Sequence, residues 1–239
     1  MDKKKLVICG DSFMSPTSNS PGTHFSEIVS SKMGFELVPL ARSAMSNGGI
    51  VSQLEYAISL RPDMILFNTT FADRIEFTIT DDNLSDMSEN ITCKDFYYGE
   101  RKDLSCQIMN NADCMIGSES IESLIRGDFF GHKSDSFNKF LFDIYNRSWK
   151  IKIDQHIIYS VSHQLYRLGI PFLLMLDIIN ASKKMEWIPK ENLGFEWSIL
   201  DKIRLEKADN HFVDPGYHTT IDVQERLAED TLSRIKDLI

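Results

Sequence analysis

The chain has 239 residues, 42% of them hydrophobic and 26% charged, with a formal net charge of -9. This composition fits one large globular α/β domain over residues 1–239 and excludes fibrous and disordered classes; a chain of this length can fold without disulfide or metal staples. The acidic balance repels phosphate backbones, and no Lys/Arg stripe interleaves with aromatics, so nucleic acid is not an expected partner.

After the basic start Met1-Asp2-Lys3-Lys4-Lys5, the apolar run Leu6 to Cys9 is too short for a signal-peptide core or a membrane span. Cys9, Cys93, Cys106 and Cys114 form no C-x-x-C and have no histidines at zinc-site spacing, so they read as free thiols in a reducing, cytoplasmic setting. Neither a metal nor another cofactor is implied.

Leu6 to Cys9 predicts a buried strand, and Phe25, Ile28, Val29 and Met33 recur at helical spacing before Gly34 ends the pattern. Phe35 to Ala41 reads as a second strand. A Ser/Asn/Gly loop follows, then Ile50, Val51, Leu54, Ala57 and Ile58 mark a second helix. Met64 to Phe67 gives a third strand after Arg61-Pro62-Asp63. Between about 75 and 138 the pattern degrades into Asp/Ser/Asn-rich sequence, which reads as an insertion with short helices of its own, either a lid or a surface excursion. Helical spacing returns from Phe140 to Leu168 through Ile151, Ile158, Val161 and Leu165. Phe172 to Leu176 is a fourth strand, and Val223, Leu227, Ile235 and Leu238 form the stripe of a final helix, with Thr219 and Asp222 resembling a capping box. All four strands read as buried on both faces, which predicts a parallel sheet covered by helices on each side.

In such a sheet ligands gather beyond the carboxyl ends of the strands. Gly10-Asp11-Ser12 directly follows the first strand. Ser12 there has backbone N–H groups nearby for an oxyanion, but its hydroxyl needs a base. His218, in Asp214-Pro215-Gly216-Tyr217-His218 just before the final helix, is the candidate base, with Asp214 to fix its tautomer. Taken separately, Gly-Asp-Ser reads as a plain turn and His218 as a helix-start residue; the two gain force only together.

Together, a strand followed by Gly-Asp-Ser near the N-terminus and Asp and His before a C-terminal helix resemble the first and last motif blocks of the SGNH (GDSL-like) hydrolases. The resemblance covers nearly the whole chain apart from the insertion. It implies a three-layer α/β/α sandwich with a parallel sheet of four to five strands, a flavodoxin-like arrangement. It also implies a serine esterase using Ser12, His218 and Asp214, with an oxyanion hole drawn from Ser12, Asn47 and Asn68. Ala41 to Gly49 is similar to the family's second block in its G-x-S-N form, with Ala44 replacing the first glycine and Asn47 at the oxyanion glycine; Asn47 reads alternatively as a helix cap. The third block departs from G-x-N-D: the sequence is Phe67-Asn68-Thr69-Thr70, so either Asn68 or Thr70 supplies the side-chain donor. The last block departs from Asp-x-x-His by one residue, leaving Asp214, Asp209 or a carbonyl oxygen to orient His218; His211 lies farther from the helix.

The substrate class implied is a small-molecule or carbohydrate ester, such as an O-acetyl sugar. Two other readings stay open: an SGNH-fold protein that binds without catalysis, and a flavodoxin-like phosphate binder using Ser15 to Thr23. Arg74 reads as an anion contact or as a surface partner of Asp73. Asp177 reads as a strand-end or capping residue, His156 and His163 as surface or satisfied histidines, and Trp187 and Trp197 as packing or cleft residues.

Overall fold

The computed structural model describes residues 3–16, 21–42, 45–70, 74–79, 115–120, 139–140, 143–175, 192–195, 220–236 and 238. Five strands form a parallel sheet: β1 (Lys5–Cys9), β2 (Glu36–Pro39), β3 (Met64–Asn68), β6 (Phe172–Met175) and β7 (Leu193–Phe195), in the order β2-β1-β3-β6-β7. The remaining two, β4 (Arg74–Ile79) and β5 (Met115–Ser120), pair antiparallel as a separate two-stranded sheet.

Alternation along the strands builds two cores. Leu6 and Ile8 of β1, Met64 and Leu66 of β3 and Leu173 of β6 face one side. They meet Phe25 and Val29 of α1 (Phe25–Met33) and Val223 and Leu227 of α4 (Ile221–Ile235). Val7, Cys9, Ile65, Phe67 and Leu174 face the other side. They meet Ile50, Leu54 and Ala57 of α2 (Asn47–Ser59) and Ile158, Val161 and Leu165 of α3 (Arg147–Arg167). Because side chains of a strand alternate between faces, an unbroken apolar run must be covered twice, and the result is the expected α/β/α sandwich. Each Val, Leu, Ile, Phe or Met side chain buried in these layers contributes about 1.5–3 kcal/mol.

Several boundaries differ from the sequence expectation. β2 is an edge strand, not one buried on both faces: Glu36 and Pro39 are exposed. Among the described residues it pairs only with β1, and Pro39, which has no N–H to donate, is tolerated at such an edge. Leu168, expected on the apolar face of α3, is 53% exposed because it forms the helix C-cap. The final helix is capped by Thr220, with no side-chain cap bond, and Thr219 lies outside the described residues. Of the segment read as an insertion, the described part is the β4–β5 pair, in which Ile75, Phe77 and Ile79 alternate with polar residues at the strand period; the rest, where short helices are expected, lies outside the described residues. Among the described residues no helix is long and apolar enough to cross a membrane.

The helix ends that matter for the site have side-chain caps. At α1, the His24 side chain accepts from Ser26 N–H and Glu27 reaches back to the His24 N–H, while Gly34 closes the helix at φ 69°. At α2, Ser46 Oγ accepts from Gly49 N–H at 3.2 Å. Ser46, not Asn47, is therefore the cap. Asn47 is the first helical residue, whose N–H has no acceptor within the helix.

Candidate functional site

The chain leaves β1 toward β2 on one side and reaches β3 on the other, so the strand order reverses between β1 and β3. Crevices at such switch points, beyond the carboxyl ends of strands, are where open parallel sheets bind ligands. Gly10 to Ser15 after β1, the segment before α2 and Asn68 to Thr70 after β3 meet there.

Gly10 starts the first loop at φ 142°, a backbone conformation reserved for glycine. Any Cβ on it would collide with the Asn68 carboxamide and sit 2.7 Å from Met14 Cγ. Gln53 of α2 grips this residue on both sides, accepting from the Gly10 N–H at 2.6 Å and donating to its carbonyl at 3.3 Å. The chain then turns, with Met14 N–H bonded to the Asp11 carbonyl at 3.1 Å. This turn leaves Ser12 half-buried while Asp11 is 1% exposed.

Asp11 is the hub of the loops. Its Oδ1 accepts from Phe13 N–H at 3.1 Å and from Asn68 Nδ2 at 2.9 Å; its Oδ2 accepts from Thr70 Oγ1 at 2.8 Å and from Arg74 Nη1 at 2.9 Å. Asn68 Oδ1 in turn accepts from the Asp11 N–H at 3.1 Å. A carboxylate so enclosed is a scaffold, not a base facing a substrate. Arg74 is thereby placed on Asp11; Asp73, the other partner read for it from the sequence, lies outside the described residues. The same Nη1 also donates to the Met45 carbonyl at 3.2 Å, joining the first loop to the segment before α2.

Asn47 is wholly buried, and its side chain pairs with the Thr70 backbone in both directions: Nδ2 donates to the carbonyl at 3.1 Å and Oδ1 accepts from the N–H at 2.9 Å. Nδ2 also donates to Asp154 Oδ2 at 2.9 Å, and Lys150 ion-pairs with the other oxygen of Asp154. The carboxamide of Asn47 is thus a strut between β3, α2 and α3, and its backbone N–H remains at the helix N-terminus. Asn68, 5% exposed, commits its carbonyl oxygen and one amide hydrogen to Asp11.

His24 is a buried histidine absent from the sequence candidates. Its Nδ1 accepts from Ser26 N–H, which leaves Nε2 to donate to the Phe13 carbonyl at 3.1 Å. The ring ties the Ser12 turn to the start of α1, where Nδ1 also lies 2.7 Å from Ser26 Oγ. The next residue, Phe25, donates its N–H to Gln224 Oε1 in the first turns of α4 at 2.7 Å.

The structure thus brings Ser12, Asn47, Asn68 and Thr70 to one end of the sheet. His218, Asp214, Asp209, His211, Asp177, Trp187 and Trp197 lie outside the described residues, as do residues 17–20 of the segment read as an anion loop. His156 and His163 are exposed on α3, as read from the sequence. Burial pushes the Cys9 thiol up from its ordinary range, leaving it neutral and inert beneath the site.

No family model and no curated protein matches the chain. Among solved structures it is similar to the crystal structure of TesA, with 11% identity over 99% of this chain and 100% of that one and a TM-score of 0.47. It is also similar to a structure assigned to the G-D-S-L family of lipolytic proteins from Desulfitobacterium hafniense DCB-2, with 9% identity, coverage of 97% and 99%, and a TM-score of 0.36. Likenesses this slight transfer no role to any residue.

Proposed function

We propose that the protein is a divergent SGNH-type serine hydrolase that cleaves carboxylic esters through an acyl-enzyme. The observation that carries this reading is the contrast within one turn at the switch point. Asp11 is sealed by four hydrogen bonds, while Ser12 beside it is half-buried at the carboxyl end of β1.

In this mechanism Ser12 Oγ attacks the ester carbonyl carbon as His218 takes its proton. The oxyanion is held by the backbone N–H groups of Ser12 and Asn47, with the second amide hydrogen of Asn68 assisting. Collapse expels the alcohol, which leaves with the proton from His218. Water then attacks the acyl carbon, giving a proton to His218, and Ser12 departs as its hydroxyl is restored. Asp214 orients the imidazole. Two bonds support the role of His218: Gln224 fastens the first turns of α4 to Phe25, and His24 fastens the Ser12 turn to that same corner. Residue 218 is only two positions before the Thr220 cap, a reach of about 7 Å in extended chain. Small acyl esters, including O-acetyl groups on carbohydrates, are the substrate class proposed, acted on in the cytoplasm.

A second reading, a non-catalytic binding protein on the same fold, draws on the buried bonds that occupy the side chains of Asn47 and Asn68. A fluorophosphonate probe and p-nitrophenyl acetate separate the two. Hydrolysis requires that Ser12 be labelled and that Ser12→Ala abolish turnover in folded protein. Wild-type protein that neither labels nor turns over would establish the binding reading.

A further inference from the structure

We infer that Arg74 is a positioning residue that cancels the buried negative charge of Asp11, so that an oxyanion can form at the neighbouring Ser12. The inference rests on the Ser12 reading. Of the four donors to Asp11, the Phe13 amide, the Asn68 carboxamide and the Thr70 hydroxyl are neutral. They replace lost hydration but leave the charge in place. The Arg74 guanidinium, 2.9 Å from Oδ2, is the cation.

Asp11 and Ser12 are adjacent, with Cα atoms about 3.8 Å apart. Both the attacking serine oxygen and the carbonyl oxygen that becomes negative must gather charge close to this carboxylate. Asp11 is 1% exposed, so left uncompensated its carboxylate is poorly screened by water and opposes such charge more strongly than it would in bulk solvent. It opposes the transition state more than neutral substrate binding, so the loss falls on kcat and not on KM. Geometry adds to the effect. Arg74 Nη1 also holds the Met45 carbonyl, just ahead of α2, so one nitrogen fixes the Ser12 turn relative to the Asn47 amide. Arg74 is the first residue of β4, which roots this contact in the antiparallel β4–β5 pair.

Arg74→Met, Arg74→Lys, Asp11→Asn and the double variant Asp11→Asn/Arg74→Met separate charge from shape. Each is measured by thermal unfolding, by the second-order rate of fluorophosphonate labelling at Ser12, and by kcat and KM for p-nitrophenyl acetate. Arg74→Met is expected to slow labelling and kcat by roughly 10- to 100-fold, with KM within about twofold. Arg74→Lys keeps the charge and stays within about fivefold of wild type. The double variant removes the carboxylate while keeping an acceptor for the Phe13 amide, and it regains about tenfold of the lost rate even if its melting temperature falls. A double variant as slow as Arg74→Met, or rates that track melting temperature across the series, overturns the charge role while leaving Ser12 as nucleophile. Wild-type protein that does not label overturns the Ser12 reading and this inference with it.

Discussion

Gly10→Ala tests the architecture of the Ser12 turn most directly. Two costs arise. At φ 142° an alanine is held in a region that L-residues avoid, costing about 1–3 kcal/mol. The added Cβ also displaces the Asn68 carboxamide, and with it the Asp11 N–H to Oδ1 and the Nδ2 to Asp11 bonds. Two buried groups left without partners cost about 1–3 kcal/mol each. The sum, about 3–9 kcal/mol, is comparable with the whole stability of a typical domain, about 5–15 kcal/mol. Gly34→Ala is the matched control: φ is 69° and nothing lies within 4 Å of the new Cβ, so only the backbone cost remains, about 1–2 kcal/mol. Urea unfolding followed by far-ultraviolet circular dichroism gives both values. Gly10→Ala should lie at least about 2 kcal/mol below Gly34→Ala. Equal urea midpoints for the two variants would refute the close packing of Gly10 on Asn68.

Gln224→Leu removes the acceptor of the Phe25 N–H, a contact spanning 199 residues, and should cost about 1–3 kcal/mol in urea while slowing labelling of Ser12. A loss below about 0.5 kcal/mol would show that this bond does not anchor α4. Cys9 should resist iodoacetamide in native protein and react once unfolded, as read by mass spectrometry of its peptide; native labelling at pH 8 would contradict its burial. Because burial raises this thiol, its contribution to stability is fully present below the unfolded thiol's pKa of about 8.5 and declines as pH rises beyond it.

The sequence alone determined the layers. Leu6 to Cys9, Met64 to Phe67 and Phe172 to Met175 are apolar without interruption, and only a sheet covered on both faces accommodates three such runs separated by amphipathic helices. It also marked the Ser12 turn, because Gly10 sits where a strand must stop. Some buried polar residues left a trace that the reading passed over. Gln53 lies among Ile50, Leu54 and Ala57 on the buried face of α2, and Asp154 precedes Ile158 and Val161 on that of α3; a polar residue within an apolar stripe needs a distant partner. The identity of that partner was beyond local pattern. Gln53 binds Gly10 across 43 residues, Arg74 reaches Asp11 across 63, and Asp154 holds Asn47 across 107. Helical and strand periods describe which face of an element is buried, and they carry no term for which two loops meet. Only the reversal of strand order between β1 and β3 brought these loops together, so the tertiary structure decided that Asp11 is a charge-balanced scaffold beside Ser12.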